Sequence, residues 1–180
     1  MSESAARQKI AQERSALLVC TLSSFLAPFI ISAVNVAMPA IQADLHLKSI
    51  ALTWVATIYM LTMAMTLAPV GALADMYGRR KFFSAGLSVF TIASILAALA
   101  PNGAALIVCR GLQGVGAGMF VSTGMAILTS VYPPERRGRV LGMYVAAVYI
   151  GLSAGPFAGG LITAHLGWRS IFLLMLPLGI

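Results

Sequence analysis

The sequence predicts an all-α integral membrane protein, a bundle of six helices of which the sixth is incomplete. Hydrophobic residues make up 59% of the 180 and charged residues 9%, with a mean hydropathy of +0.92. A soluble domain carries about a quarter charged residues, so this chain has too little polar material for a water-exposed surface. The charges also separate long uncharged stretches. Those stretches are continuous apolar runs, which favours helices over the alternating pattern of a barrel.

Six uncharged stretches mark the elements in order, at 15–43, 49–74, 82–109, 111–134, 140–168 and 170–180. A helix needs about 20 apolar residues to cross roughly 30 Å of hydrocarbon, and only the last stretch is too short. The Pro-Asn-Gly sequence at 101–103 favours a turn that ends the third helix. The prediction is a cytoplasmic tail at 1–14 and a transmembrane bundle at 15–180, with helices at about 16–38, 50–73, 83–100, 104–131, 140–163 and 169–180.

The basic residues predict the orientation of the bundle. Nine of them fall on one side of the predicted helices: Arg7, Lys9, Arg14, Arg79, Arg80, Lys81, Arg136, Arg137 and Arg139. Only Lys48 and Arg169 fall on the other side. Short basic loops stay cytoplasmic, so we expect a multi-pass protein of the bacterial inner membrane with a cytoplasmic amino terminus. The net charge of +7 then reflects topology and anionic lipid, and a nucleic-acid partner is not required.

The residues that could carry enzymatic chemistry are sparse. The chain has two histidines, two cysteines and five acidic residues, and none of them forms a nucleophile–base arrangement or a metal-ligand spacing. We therefore expect neither an enzyme nor a bound cofactor or metal.

The stretch GALADMYGRR at 71–80 places several charges at one junction between apolar helices. Gly71 is predicted to close the second helix, and Gly78 to allow a reversal without a steric penalty. Arg79 and Arg80 are predicted to anchor the third helix. Asp75 contributes nothing to orientation, so we expect it to have a partner, such as Arg79 or the positive end of a nearby helix.

Arg110 is the only charge inside a predicted membrane span. Such a residue is costly enough that a functional role is the default hypothesis. Gln113, Gly114 and Gly118 follow at i+3, i+4 and i+8 and share its helix face, where the glycines would let a neighbouring helix approach closely. The alternative is a buried arginine satisfied by backbone carbonyls and Gln113.

Gly151, Gly155 and Gly159 form a second stripe of small residues, along the fifth helix. Glycines at this spacing allow tight helix–helix contact. Pro156 lies inside the stripe, removes one backbone hydrogen bond and can kink the helix. Plain packing is the alternative to any specific transport role.

Three motifs together carry a resemblance. GALADMYGRRK at 71–81, RGLQGVGAG at 110–118 and GLSAGPFAGG at 151–160 resemble, in order, signatures of the major facilitator superfamily of secondary transporters. NVAMPAI at 35–41 and GWRSIF at 167–172 resemble its drug:proton antiporter branch with fourteen spans. The resemblance implies the amino-terminal half of such a fold, a conformational-switch loop at 71–80, and proton relay or substrate binding by Arg110. It also implies an antiporter role for the fifth-helix motif.

The resemblance further implies a substrate cavity between the first, second, fourth and fifth helices. Its candidate lining residues are Asn35, Trp54, Tyr59, Met63, Arg110, Gln113 and Tyr149. The implied function is efflux of drugs or other amphiphilic organic compounds by alternating access, driven by a proton gradient. Its implied partners are a small organic substrate, the bilayer, and a missing carboxy-terminal half or a second copy.

Two other functions remain open at this point. One is a metabolite symporter or facilitator of the same superfamily, and the other is a truncated fragment without transport activity of its own. Drug exporters commonly carry an aspartate in the first helix where this chain has Ile30. The first two helices therefore offer no membrane carboxylate for proton coupling.

Overall fold

The computed structural model describes the backbone of residues 3–176 and the side chains of residues 12–176. Within that range every regular element is a helix, as the sequence predicts. Five helices are long and apolar enough to cross a membrane. The elements are α1 (Glu3–Leu45), α2 (Ser49–Tyr77), α3 (Arg79–Ala98), α4 (Gly103–Val131), α5 (Pro134–Leu166) and α6 (Arg169–Leu173).

The helix ends differ from the predicted ones. α1 begins at Glu3 and not near 16, so residues predicted as a separate tail continue the helix, and α5 begins at Pro134 and not near 140. Charged residues mark where a chain leaves hydrocarbon, whereas a helix can continue into water with its backbone groups still paired. α6 comprises Arg169–Leu173, and its predicted end at 180 lies outside the described range, which stops at residue 176.

The prediction that Gly71 closes the second helix is wrong, because α2 continues to Tyr77. The break comes at Gly78, whose φ of 109° lies in the region that favours glycine. The prediction for Gly78 is therefore confirmed.

The helices alternate in direction and pack chiefly as three pairs, α1 with α5, α2 with α4, and α3 with α4, while α6 packs against α3 and α5. Contacts between distant parts of the chain mark the two ends of the bundle. At one end, Tyr132 Oη donates to the Glu13 carbonyl at 2.7 Å. This end, called the basic end below, carries Arg14, Arg79, Arg80, Lys81, Arg136, Arg137 and Arg139. At the opposite end, Asp44 accepts hydrogen bonds from Trp168 and Arg169.

Backbone contact at glycines joins the paired helices. A Cβ added at Gly159 of α5 would lie 2.7 Å from Ala33 Cα of α1, and one at Gly118 of α4 would lie 2.8 Å from the Met63 carbonyl oxygen of α2. Real Cβ contacts are longer than this, so the observed helix separations require glycine at both positions. In a bilayer, where apolar side chains gain little by leaving lipid, such close packing is a main source of helix association.

Candidate functional site: the Arg110 cluster

Arg110 lies in α4, inside the interface with α2, and its side chain is 1% exposed. Its Nε donates to the Val55 carbonyl at 3.2 Å, and Nη1 donates to Gln113 Oε1 at 2.6 Å. The guanidinium carbon also stands 4.3 Å from the centre of the Tyr59 ring. Arginine over an aromatic face gains a favourable cation–π interaction, and the gain is largest away from water. The cation therefore faces protein groups and not lipid.

Gln113 extends this cluster into α3. Its Nε2 donates to Ser94 Oγ at 2.7 Å, and Ser94 Oγ in turn donates to the Phe90 carbonyl at 2.7 Å. Gln113 and Ser94 are both 0% exposed. A buried polar network is stable only when its members are satisfied, and the amide of Gln113 has a partner on both sides. We call Tyr59, Ser94, Arg110 and Gln113 the Arg110 cluster.

Sequence reasoning missed Ser94. A single serine in an apolar helix is common, and its usual bond is to the carbonyl four residues earlier, which Ser94 also makes. Nothing in the sequence states which α3 residue faces α4.

The electrostatics of the cluster are those of a fixed positive charge without a carboxylate. Among the described side chains, the acidic residues lie toward the two ends of the bundle and not within the cluster: Glu13, Asp44, Asp75 and Glu135. Carbonyl dipoles, the amide oxygen of Gln113 and the Tyr59 ring offset the cost of burying the guanidinium. This geometry matches the arrangement in which carbonyls and Gln113 satisfy a buried arginine. It also keeps a cation at a defined depth, where a titrating group or an anionic ligand would interact with it.

The seven residues predicted to line one cavity lie in different places. Tyr59, Arg110 and Gln113 come together in the cluster, and Met63 is partly buried one helical turn along α2. Asn35, Trp54 and Tyr149 are on the exposed surface, Trp54 with 46% and Tyr149 with 64% of its surface accessible. The described part of the chain thus brings three of the seven residues together in a buried polar cluster and leaves Asn35, Trp54 and Tyr149 exposed on α1, α2 and α5.

The junction at 71–80 forms a bridge between helices. Arg79 Nε pairs with Asp75 Oδ1 at 2.7 Å, and its Nη1 donates to the Ala126 carbonyl of α4 at 2.9 Å. The predicted partner of Asp75 is therefore confirmed, and Arg79 connects α2 to α4. Arg80 is exposed at the basic end.

Tyr132 provides a further contact at the basic end. Burial, and secondarily the charge of Glu13, raises the pKa of the Tyr132 hydroxyl. The hydroxyl therefore stays protonated at neutral pH and remains a donor to the Glu13 carbonyl.

The three glycines of the α5 stripe, Gly151, Gly155 and Gly159, face α1. A Cβ at Gly151 would meet the Phe25 carbonyl oxygen, one at Gly155 would meet the Ser32 side chain, and one at Gly159 would meet Ala33. The predicted packing of this stripe is confirmed. Pro156 is exposed, and α5 is helical on both sides of it.

Apolar helices of membrane-spanning length, joined at glycine seams around a buried arginine, are the features of a helical membrane protein with a candidate functional site in its core. The family model described as Major Facilitator Superfamily matches residues 20–180. The chain belongs to the Major Facilitator Superfamily. It is accordingly a member of a transporter family and not an enzyme, as the sequence motifs predict.

Curated relatives include named exporters and a vitamin transporter. The methylenomycin A resistance protein of Bacillus subtilis is 39% identical, over 92% of this chain and 36% of the relative. The cephamycin export protein CmcT of Amycolatopsis lactamdurans is 36% identical, over 99% of this chain and 37% of the relative. The riboflavin transporter RibZ of Clostridioides difficile is 35% identical, over 91% of this chain and 36% of the relative. The chain thus spans about a third of the length of these relatives.

Proposed function

We propose that this chain forms the amino-terminal half of a proton-coupled exporter of drugs or other amphiphilic organic compounds. The observation that carries the proposal is the burial of Arg110 between α2 and α4. A permanent cation inside an apolar bundle is costly and is a functional-site hypothesis by default. The names of two relatives, a methylenomycin A resistance protein and a cephamycin export protein, support export as the direction.

The proposed mechanism is alternating access between two bundles. Among the five long helices, α2 and α5 have the smallest share of buried residues in their apolar segments. That share is 11% in α2 and 22% in α5, and 44% or more in the other three. Their exposed aromatic residues include Trp54, Tyr149 and Phe157. We expect these faces to contact a second bundle, either a carboxy-terminal half or a second copy, and to border the substrate cavity. Large apolar and aromatic side chains suit varied organic substrates.

The other roles follow from the same proposal. The 71–80 junction contributes to the conformational switch by holding α2 to α4 through Arg79, so that the two helices move together. The basic end is cytoplasmic in a bacterial inner membrane, because short basic loops remain on that side. The proton gradient is the driving force, and Arg110 influences a titrating group outside the described residues.

The test is efflux of a fluorescent amphiphile from bacteria that express the complete reading frame, with and without a protonophore. Arg110→Ala should reduce efflux to background at normal expression. Lys48→Ala is the matched control, since Lys48 is exposed and precedes α2, and it should retain efflux. Normal efflux in Arg110→Ala would refute a role for the arginine, and protonophore-resistant efflux would refute proton coupling.

A metabolite carrier is the second candidate, and the similarity to a riboflavin transporter favours testing it. Vesicles containing the protein should then equilibrate riboflavin without an imposed gradient and should show no amphiphile efflux. A third outcome, transport of neither compound by well-folded protein, would favour a fragment without transport activity of its own.

A further inference from the structure

Ser94 is a fully buried hydroxyl that the proposed function leaves without a role. It lies on α3 and reaches the Arg110 cluster from the side opposite α2. Its Oγ is 2.7 Å from Gln113 Nε2 and 2.7 Å from the Phe90 carbonyl oxygen. Only the side chain of Gln113 separates it from the guanidinium of Arg110.

The direction of these hydrogen bonds gives Ser94 a specific task. A serine hydroxyl has one proton, and Ser94 donates it to the Phe90 carbonyl. The oxygen can then only accept from Gln113, so the amide nitrogen must point toward Ser94. This orientation turns Gln113 Oε1 toward Arg110, which has donors and no acceptor. The opposite amide orientation would place donors against donors at Arg110.

We propose that Ser94 is a positioning residue for Arg110, acting through the orientation of the Gln113 amide. The inference rests on the proposed function of Arg110. Arg110 already selects the oxygen end of the amide, and Ser94 holds the nitrogen end in place. Without the Ser94 acceptor, the buried amide nitrogen has lost its partner. Arg110 then loses a partner of fixed position, while the bond to the Val55 carbonyl and the Tyr59 ring contact remain.

The first test is Ser94→Ala in the transporter expressed from its complete reading frame. Efflux should fall about tenfold, the effect expected when a buried amide donor is left without its acceptor. Thr91→Val is the matched control. Thr91 is also buried on α3, one turn away, but its hydroxyl bonds only to the Leu87 carbonyl of the same helix. This control should keep efflux within about twofold of the parent, because its hydroxyl is hydrogen-bonded within its own helix.

The decisive test uses the chemistry of the amide itself. A carboxylate has no N–H, so in Gln113→Glu no donor from residue 113 depends on the Ser94 oxygen, and Ser94 can keep its bond to the Phe90 carbonyl. In a Gln113→Glu background, Ser94→Ala should therefore lose most of its effect. A hydroxyl that served only to fill space would have the same effect in both backgrounds. All four combinations are compared by efflux and by thermal midpoint in detergent, so the coupling is measured even where a variant is inactive.

The outcomes separate this inference from the proposed function. Equal effects of Ser94→Ala in both backgrounds, or none in either, overturn the positioning role. If Ser94→Ala does not accumulate in the membrane, Ser94→Cys replaces it, since a thiol occupies the site but is a weak acceptor. Ser94→Cys must then also lower efflux with Gln113 present and lose most of that effect in the Gln113→Glu background. Normal efflux in Arg110→Ala would instead refute the proposed function, whatever the Ser94 variants do.

Discussion

The seam between α1 and α5 makes a quantitative prediction for Gly159→Ala. The added methyl would lie 2.7 Å from both Cα and Cβ of Ala33 and 3.1 Å from its carbonyl oxygen. Two of these three atoms belong to the α1 backbone, so relief requires the helices to separate by about 1 Å, toward ordinary carbon contact distances. Overpacking of this kind costs about 1–3 kcal/mol. Against this, alanine stabilises a helix interior by about 0.5–1 kcal/mol relative to glycine.

Gly142→Ala is the control that isolates the packing contribution. Gly142 lies in the same helix, and a Cβ there would have nothing within 4 Å, so only the helix-propensity gain applies. Unfolding of both variants in lipid–detergent mixtures with increasing SDS should give free energies that differ by about 1–3 kcal/mol, with Gly159→Ala the less stable. Equal free energies for the two variants would refute the inference that backbone contact sets the distance between α1 and α5.

Two contacts at the basic end give the remaining predictions. Asp75→Asn should change the free energy of unfolding by less than about 1 kcal/mol, because its pair with Arg79 is exposed. The same variant should impair transport by the complete protein. Normal turnover in this variant would show that the 71–80 stretch acts only as a turn. Tyr132→Phe should lower the unfolding free energy by about 1 kcal/mol through loss of the bond to the Glu13 carbonyl, whereas Tyr77→Phe, at an exposed tyrosine, should not. Because the folded-state pKa of Tyr132 is raised, its contribution is present below the usual tyrosine pKa of about 10 and is lost at higher pH. Unfolding measured from neutral to alkaline pH should therefore bring the parent closer to Tyr132→Phe, and parallel curves would contradict this.

Contacts within one helix or one turn could be predicted from the sequence. Gln113 is three residues from Arg110 and Asp75 four from Arg79, and both pairs are bonded as that spacing predicts. Gly151, Gly155 and Gly159 likewise share a face by spacing alone, and that face packs on α1. For Gln113 and these glycines helix geometry fixes the neighbour before any tertiary contact is known, whereas Asp75 and Arg79 are near because only the short Gly78 turn separates them.

Contacts between helices could not be predicted in this way. Val55 and Ser94 reach Arg110 and Gln113 from other helices, and their positions depend on helix rotation and register. In a membrane bundle both faces of a helix can be apolar, so the pattern does not indicate which face is buried. The same ambiguity explains why Tyr59 is buried and Trp54 is exposed on α2, although both were candidates for one cavity.

Two of the sequence motifs act on the same pair of helices. Arg110 connects α4 to the α2 carbonyl of Val55, while Arg79 connects Asp75 of α2 to the α4 carbonyl of Ala126. With a rise of about 1.5 Å per residue, these two connections stand roughly 25–30 Å apart along the seam. Sliding α2 along α4 would break hydrogen bonds at both ends and disrupt the glycine contacts between them. We therefore expect α2 and α4 to move as one rigid unit, and conformational change to occur at the exposed faces of α2 and α5.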